Sequence, residues 1–286
     1  MRRFGRFNVT AIEAGRLGLD GGAMFGVVPK PLWSRATPAD EANRIDLATR
    51  LMVVEDTTAT TKRRILVDTG IGDKFPEKQA AQFKITQPKG GVREALSTAG
   101  VDPDSITDVI LTHLHFDHAG GATTARDDGY DPTFPNATYH LQRRAWKWAE
   151  HPTERDSGSF RPADFQALAA NGQLHLFDGP IELFPGVSLI VSEGHTVAQQ
   201  LVLLDGDDDG KLLYCADVMP TRAHLKLAWV MGYDLYPLTT LEEKRMLLAQ
   251  GLEEGWTIFF EHDPTLAACK LAEKDGNVVV GEELTF

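Results

Sequence analysis

The chain has 286 residues, 42% hydrophobic and 24% charged, which suits a globular protein long enough to bury a sizeable core. A net charge of −12 excludes nucleic acid and anionic membrane as main partners, because phosphate recognition needs clustered Lys and Arg. Two cysteines without C-x-x-C spacing, Cys215 and Cys269, favour a reducing compartment. No apolar stretch reaches the length of a membrane span, and the basic N-terminus lacks the apolar run of a secretory signal, so a cytoplasmic location is the default.

In chain order, Phe7–Ala14 reads as a first strand ended by Gly15. Leu19–Trp33 is rich in Gly and Pro yet carries Met24, Phe25, Val27, Val28 and Trp33. Such an apolar loop either packs as core edge or walls a ligand pocket. Ile45–Glu55 and Arg64–Val67 read as paired strands joined by the polar turn of residues 56–62. Asp68 stands at the end of the second, placed to cap the Thr69–Gly72 turn. Helices are expected at Pro76–Phe83 and Gly91–Ala99, the latter with Val92, Ala95, Leu96 and Ala99 at helical spacing and Gly100 as its stop.

Val109–Gly121 reads V-I-L-T-H-L-H-F-D-H-A-G-G. Val109, Ile110 and Leu111 form a buried strand, and Gly120 and Gly121 allow a sharp turn. His113 and His115, two apart in extended chain, share a face and can point at one ion. Asp117 and His118 come where the chain begins to turn and can aim at a second point nearby. Three imidazoles and a carboxylate suit Zn²⁺ or a similar borderline ion.

Asp127–Asn136 reads as loop, His140–Trp148 as helical at its end, and Phe160–Asn171 as a helix. His140 and His151 lack ligand-like neighbours and are read as structural or surface residues. Gln173–Phe177, Ile181–Phe184 and Val187–Val191 are short strands broken by turns. The last delivers Gly194 and His195, where a glycine allows a close turn so that the imidazole reaches inward. Gln200–Leu204 and Lys211–Cys215 make a hairpin around D-G-D-D-D-G. Its start imitates a calcium loop, but the twelfth position is Ala216 and the flanks are strands, so a solvated turn is expected. The second strand ends at Asp217, whose two oxygens can bridge two ions; Cys215 beside it is a small buried hydrophobe. Met219–Gly251 is helix-rich, with a helix starting near Thr240, which caps it, and Glu242 and Glu243 in its first turn. His224 either meets a ligand or is structural. Thr257–Phe260 is a strand, His262 follows it, and Ala267–Leu271 with Asn277–Val280 closes the chain as a strand pair. No linker composition separates the halves, so residues 1–286 are expected to form one domain of mixed α and β structure.

The cluster of His113, His115, Asp117 and His118 is followed in order by Gly194-His195-Thr196, by Asp217 in Y-C-A-D-V and by His262 in F-F-E-H-D. This series resembles the metallo-β-lactamase superfamily of hydrolases, from about Asp68 to about Pro264. The resemblance implies an α+β fold, a four-layer αββα sandwich whose halves are pseudo-repeats. It also implies two divalent metal ions, Zn first among them, with Mn, Fe and Co accepted by the same donors. By matched position His113, His115 and His195 bind one ion, Asp117, His118 and His262 bind the other, and Asp217 bridges. Asp68 supports a metal-bound histidine from behind. Two ions about 3.5–4 Å apart turn a shared water into a hydroxide nucleophile at neutral pH, and Asp117 adjoins that water as a proton acceptor.

In size and ligand order the chain resembles the quorum-quenching lactonases and the methyl parathion hydrolase group. Hydrolysis of an ester-like bond follows, a lactone or other carboxylic ester. Three departures narrow the choice. Val197-Ala198-Gln199-Gln200 replaces the Pro-Gly-His that continues G-H-T in the glyoxalase-II-like branch. Asp217 stands where the β-lactamases proper place a cysteine. Pro220 stands where lactonases carry a tyrosine three residues after the bridging aspartate. The aromatic pocket candidates Phe25, Trp33, Trp229 and Tyr233 suit an aryl phosphotriester, which is the alternative substrate. A diiron redox enzyme is a further alternative, although such relatives carry Glu in the first motif and an added flavin domain, and neither is present. A metal-stabilised binding protein without turnover is the third. A small molecule and, at most, a second copy of the chain (a homodimer) are the partners expected.

Overall fold

Runs of Val, Ile, Leu and Phe form the strands of a computed structural model that describes residues 1–58 and 62–286. The polar turn expected at residues 56–62 thus lies partly outside the described residues. The chain divides into two units, Met1–Gly15 with Thr49–Gly179, and Arg16–Ala48 with Pro180–Phe286. Two of the boundaries fall inside long strands, and the third falls in the turn at Gly179 and Pro180.

The strands that build the first sheet are β1 (Arg2–Phe4), β2 (Phe7–Asp20), β3 (Arg44–Asp56), β4 (Arg63–Val67) and β5 (Asp108–Ile110). A hairpin of β6 (Thr123–Arg126) and β7 (Gly129–Pro132) follows, then β8 (Thr138–Gln142) and β9 (Leu174–Phe177). Among the described residues the sheet has seven strands in the order β1-β2-β3-β4-β5-β8-β9. β3 and β4 are antiparallel, while β4, β5, β8 and β9 run parallel. Ile65, Leu66, Val67, Val109 and Ile110 are all buried, as strands covered on both faces require. The parallel strands release Asp68 and the histidine cluster from neighbouring C-terminal ends, because Val67 pairs with Ile110.

Three expectations need correction in this unit. β2 runs through Gly15 rather than stopping there. The glycine serves close approach: a Cβ at this point would lie 2.9 Å from the Thr86 carbonyl oxygen. The polar stretch 127–136 contributes a strand, because Tyr130 and its neighbours pair with Thr123–Arg126. The helix expected over Phe160–Asn171 breaks into a 3₁₀ turn at Pro162–Asp164 and a short helix at Gln166–Ala170, since Asp164 is drawn inward to Lys74.

The second sheet contains β10 (Ile181–Phe184), β11 (Val187–Ser192), β12 (Gln199–Asp205), β13 (Lys211–Tyr214), β14 (Thr257–Phe259), β15 (Ala268–Lys274) and β16 (Asn277–Leu284). They lie in sequence order, antiparallel except for the β13–β14 pair. The D-G-D-D-D-G segment is the solvated turn expected, with Asp207–Asp209 forming an exposed 3₁₀ turn. The long helix begins at Pro237 rather than near Thr240. Proline suits the first helical position, where no N–H is needed, and Thr240 is buried inside the helix instead of capping it. Leu19–Trp33 is not a loop throughout. Asp20 caps a short helix, Gly21–Phe25, by accepting from the Ala23 N–H at 2.8 Å, and a second helix covers Lys30–Ala36. No helix among the described residues is long and apolar enough to cross a membrane.

The turn that carries the histidine cluster is clamped by backbone. The Thr69 N–H donates to the His118 carbonyl at 2.7 Å, and the Gly121 N–H donates to the Gly70 carbonyl at 3.0 Å. A Cβ on Gly120 would lie 1.9 Å from the Ile71 carbonyl oxygen, so no larger residue fits without moving the loop after β4. Gly120→Ala should therefore destabilise the chain by about 1–3 kcal/mol. Gly158→Ala, with nothing within 4 Å of its Cβ, should stay within about 0.5 kcal/mol of the parent. Urea melts of the two variants check this, and equal midpoints would refute the clamp.

Candidate functional site

Within the first unit, the cluster leaves β5 as extended chain and turns into a one-turn helix, Phe116–Ala119. His113, His115, Asp117 and His118 are all buried. The His113 ring lies 4.4 Å from that of His115 and 4.0 Å from that of His118, centroid to centroid. Asp68 faces them from the end of β4. Its carboxylate accepts from the Thr112 N–H and hydroxyl, both at 2.7 Å, and meets His118 Nδ1 at 3.1 Å. A carboxylate only accepts, so Nδ1 carries the proton and the lone pair of a neutral His118 is on Nε2. Asp117 Oδ1 is 3.9 Å from that Nε2. Asp68 therefore orients a histidine from behind, and does more than cap its own turn.

The second unit holds His195, Asp217 and His262, each just after a strand and each buried. Gly194 precedes His195 because the turn passes against the long helix: a Cβ there would lie 2.4–2.6 Å from Thr240. His195 Nδ1 is 2.9 Å from Asp234 Oδ1, and its Nε2 is 3.1 Å from Asp217 Oδ2. His262 Nδ1 donates to the Ala48 carbonyl at 2.7 Å, and its Nε2 is 3.2 Å from Asp217 Oδ1. One oxygen of Asp217 is thus aimed at each ring. Both Nδ1 atoms are donors, so each neutral ring turns an Nε2 lone pair toward a carboxylate oxygen. Lone pair against anion is repulsive unless a proton or a cation lies between them. In the ion-free chain a proton serves at His195. Burial opposes charge on this ring, but Asp217 and Asp234 outweigh it and push its pKa up to about 9. A divalent cation on each side of Asp217 fits the same geometry, with imidazole nitrogen and carboxylate oxygen as ordinary zinc donors.

Several supporting residues escaped the sequence reading. Asp234 carries no local motif, yet it clamps His195 and accepts from the Met231 N–H at 3.0 Å. The Ala48 carbonyl is backbone and leaves no trace in residue type. Glu243, expected to serve the helix N-terminus, instead accepts from the Ser192 hydroxyl and the Glu193 N–H, at 2.6 and 2.7 Å, and so holds the turn before His195. Lys244, fully buried, donates to the carbonyls of Lys226 and Trp229; burial brings its pKa down to about 7.

Of the aromatic candidates, Phe25 and Trp33 are core residues, stacked on one another at 5.3 Å. Trp229 meets Phe25 edge-on at 5.5 Å and is only half-buried, with Lys226 Nζ 4.0 Å over its ring. Tyr233 is exposed. His224 is structural. Its Nε2 donates to the Met24 carbonyl at 2.9 Å, its Nδ1 takes the Thr221 hydroxyl at 2.8 Å, and it stacks on Phe25 at 5.0 Å. Cys215 is the buried hydrophobe expected, with Sγ 3.1 Å from the Met219 and Phe259 carbonyls.

Residues 48–262 match the metallo-beta-lactamase superfamily. The N-acyl homoserine lactonase AiiA of Bacillus thuringiensis subsp. kurstaki is 27% identical over 216 residues, 71% of this chain and 78% of its own. A probable metal-dependent hydrolase from Staphylococcus aureus has a similar structure, with a TM-score of 0.88 and 29% identity over 99% of this chain and 100% of its own. AidC, a dizinc quorum-quenching lactonase solved with a product N-hexanoyl-L-homoserine, shares the fold, with a TM-score of 0.79 and 20% identity over 100% of this chain and 97% of its own.

His224 supplies a pH test of the packing behind Trp229. Burial, aided by the charge of Lys244, pulls its pKa from 6.5 down to about 3. The folded state binds this proton less well than the unfolded state. Its contribution to stability is therefore complete above about pH 6.5 and is lost as pH falls toward 3, by at most about 1.4 kcal/mol per unit. His224→Gln has no such proton to gain. The stability gap between the parent and this variant, from urea melts, should narrow as pH falls below 6.5; a constant gap would contradict the assignment.

Proposed function

Because the chain belongs to the metallo-beta-lactamase superfamily, we propose that it cleaves an ester-like bond, a lactone or another carboxylic ester, at a centre of two divalent ions. The fold is of the metallo-β-lactamase type, and the chain is a metal-dependent hydrolase. Zinc is the first expectation for both ions. By position in the family's motif series, His113, His115 and His195 would take one and Asp117, His118 and His262 the other, with Asp217 as the shared ligand. The reading treats residues 1–286 as one working domain, in a reducing, cytoplasmic setting that suits the free thiols of Cys215 and Cys269. The observation that carries it is Asp217, which turns one oxygen to His195 Nε2 and the other to His262 Nε2.

When bound, two such ions supply an acidified water and a Lewis acid for the carbonyl oxygen. The protein does the rest. Asp234, Asp68 and the Ala48 carbonyl fix the tautomers of His195, His118 and His262, so that Nε2 is the donor atom in each. The Asp117 carboxylate takes a proton from the attacking water and returns it to the leaving alkoxide.

The lactonase relatives make an N-acyl homoserine lactone the first substrate to try. Pro220 gives no phenol for the substrate; it is buried and accepts the His262 N–H through its carbonyl at 3.0 Å. A lactone bound without that phenol is what the sequence departure favours. The half-buried Trp229 keeps an aryl phosphotriester as the second reading. Rates on a homoserine lactone, a simple aryl ester and an aryl phosphotriester decide between them: fastest turnover of the lactone or ester is expected, and hydrolysis confined to the phosphotriester would reverse the order. Asp117→Asn should lower kcat by about 10²–10⁴. A variant that kept its metals and full turnover would remove Asp117 from the proton pathway. Asp234→Asn should weaken metal binding about 10–100-fold, read by competition with a chromophoric chelator; unchanged affinity would show that Asp234 does not tune His195.

A further inference from the structure

We propose a third cation site, on residues unrelated to the hydrolytic donors: His140 and His175 chelate a borderline divalent ion such as Zn²⁺, Ni²⁺ or Cu²⁺ through their Nδ1 atoms. The two residues lie on β8 and β9 and pair directly in register, so their side chains share one face of the sheet. Their Nδ1 atoms are 3.0 Å apart and the rings are nearly perpendicular, at 89°.

The tautomer follows from the neighbours. His140 Nε2 is 2.8 Å from Asp108 Oδ1, and a carboxylate only accepts, so the proton of a neutral His140 is on Nε2. Its Nδ1 lone pair therefore points at His175. Asp108 is itself fixed: its Oδ2 accepts from the Thr107 hydroxyl at 2.7 Å and lies 3.4 Å from Arg63 Nε. A carboxylate on one imidazole nitrogen and an ion on the other is the usual way a metal-binding histidine is oriented. Asp234 stands in the same relation to His195 in the second unit.

Without an ion, the His175 Nδ1 proton fills the gap between the two nitrogens. With one, that proton moves to Nε2 of the exposed His175 ring, and the net proton count is unchanged. Two nitrogens at about 2.0–2.1 Å from a tetrahedral ion lie about 3.3–3.4 Å apart. The present separation needs to open by only a few tenths of an ångström, and the exposed ring can rotate to provide it. Partial burial beside β8 also lowers the His175 pKa, which favours the neutral ring that an ion needs. The remaining coordination positions are water. A cross-strand pair of this kind leaves no local motif, since the two residues are 35 apart in sequence.

The test is independent of the hydrolytic reading. Zinc is titrated into the fully metallated protein and into its His175→Ala variant, with bound metal counted after equilibrium dialysis and esterase activity measured alongside. The parent should hold one more ion per chain than the variant at equal activity. Its His140 and His175 ring signals should shift in ¹⁵N-edited NMR as that ion binds. Equal stoichiometry in the two proteins, or ring signals unmoved by zinc, would overturn the proposal. Loss of hydrolysis together with the ion would also overturn it, because the site would then not be separate.

Discussion

A buried carboxylate must be matched by positive charge, and Asp217 is matched from two sides. Only 7% of its surface is exposed. Taking a carboxylate out of water costs several kcal/mol unless that charge is answered. Both facing imidazoles have committed their Nδ1 protons elsewhere, to Asp234 and to the Ala48 carbonyl. What sits between Asp217 and each Nε2 atom must therefore carry positive charge. A proton does this at His195, and under the proposed function a divalent ion on each side would do the same.

The strands explain why such a costly group can be held still. Asp68, His113, His195, Asp217 and His262 each come within three positions of a strand's C-terminal end, where buried apolar runs fix the backbone and the chain must leave the sheet. The departures are tightened by glycine at points of backbone contact, Gly120 against Ile71 and Gly194 against Thr240. Buried side chains then clamp the loops. Glu243 holds the turn before His195, and Lys244 holds the carbonyls on either side of the Trp229 segment. The stability of ordinary packing is thereby converted into the position of a few polar atoms.

Much of this was legible in the sequence because metal donors are chemically restricted and the elements that deliver them are strongly patterned. The H-x-H-x-D-H cluster, the Gly-His pair, Asp217 and His262 could be read in order, and so could the strands before them. The rest was hidden for identifiable reasons. Asp234 acts on a residue 39 positions away and has no motif. The Ala48 carbonyl belongs to the backbone. Gly15 reads as a strand stop, but its role is to let Thr86 approach. The stretch 127–136 reads as loop because its polar residues pair in an isolated hairpin, outside the apolar rule that marks core strands. Pro237 takes the helix start from Thr240 because a proline at that position needs no hydrogen-bond donor. The partners of His140, Asp108 and His175, lie on other strands and leave no local pattern.

The most direct test of the account is an anomalous difference map from crystals of the zinc-loaded protein, collected on both sides of the zinc edge. Two peaks about 3.5–4 Å apart, one on each oxygen of Asp217, are predicted. A single peak, or a pair that leaves Asp217 uncoordinated, would contradict the claim that this carboxylate joins two ions.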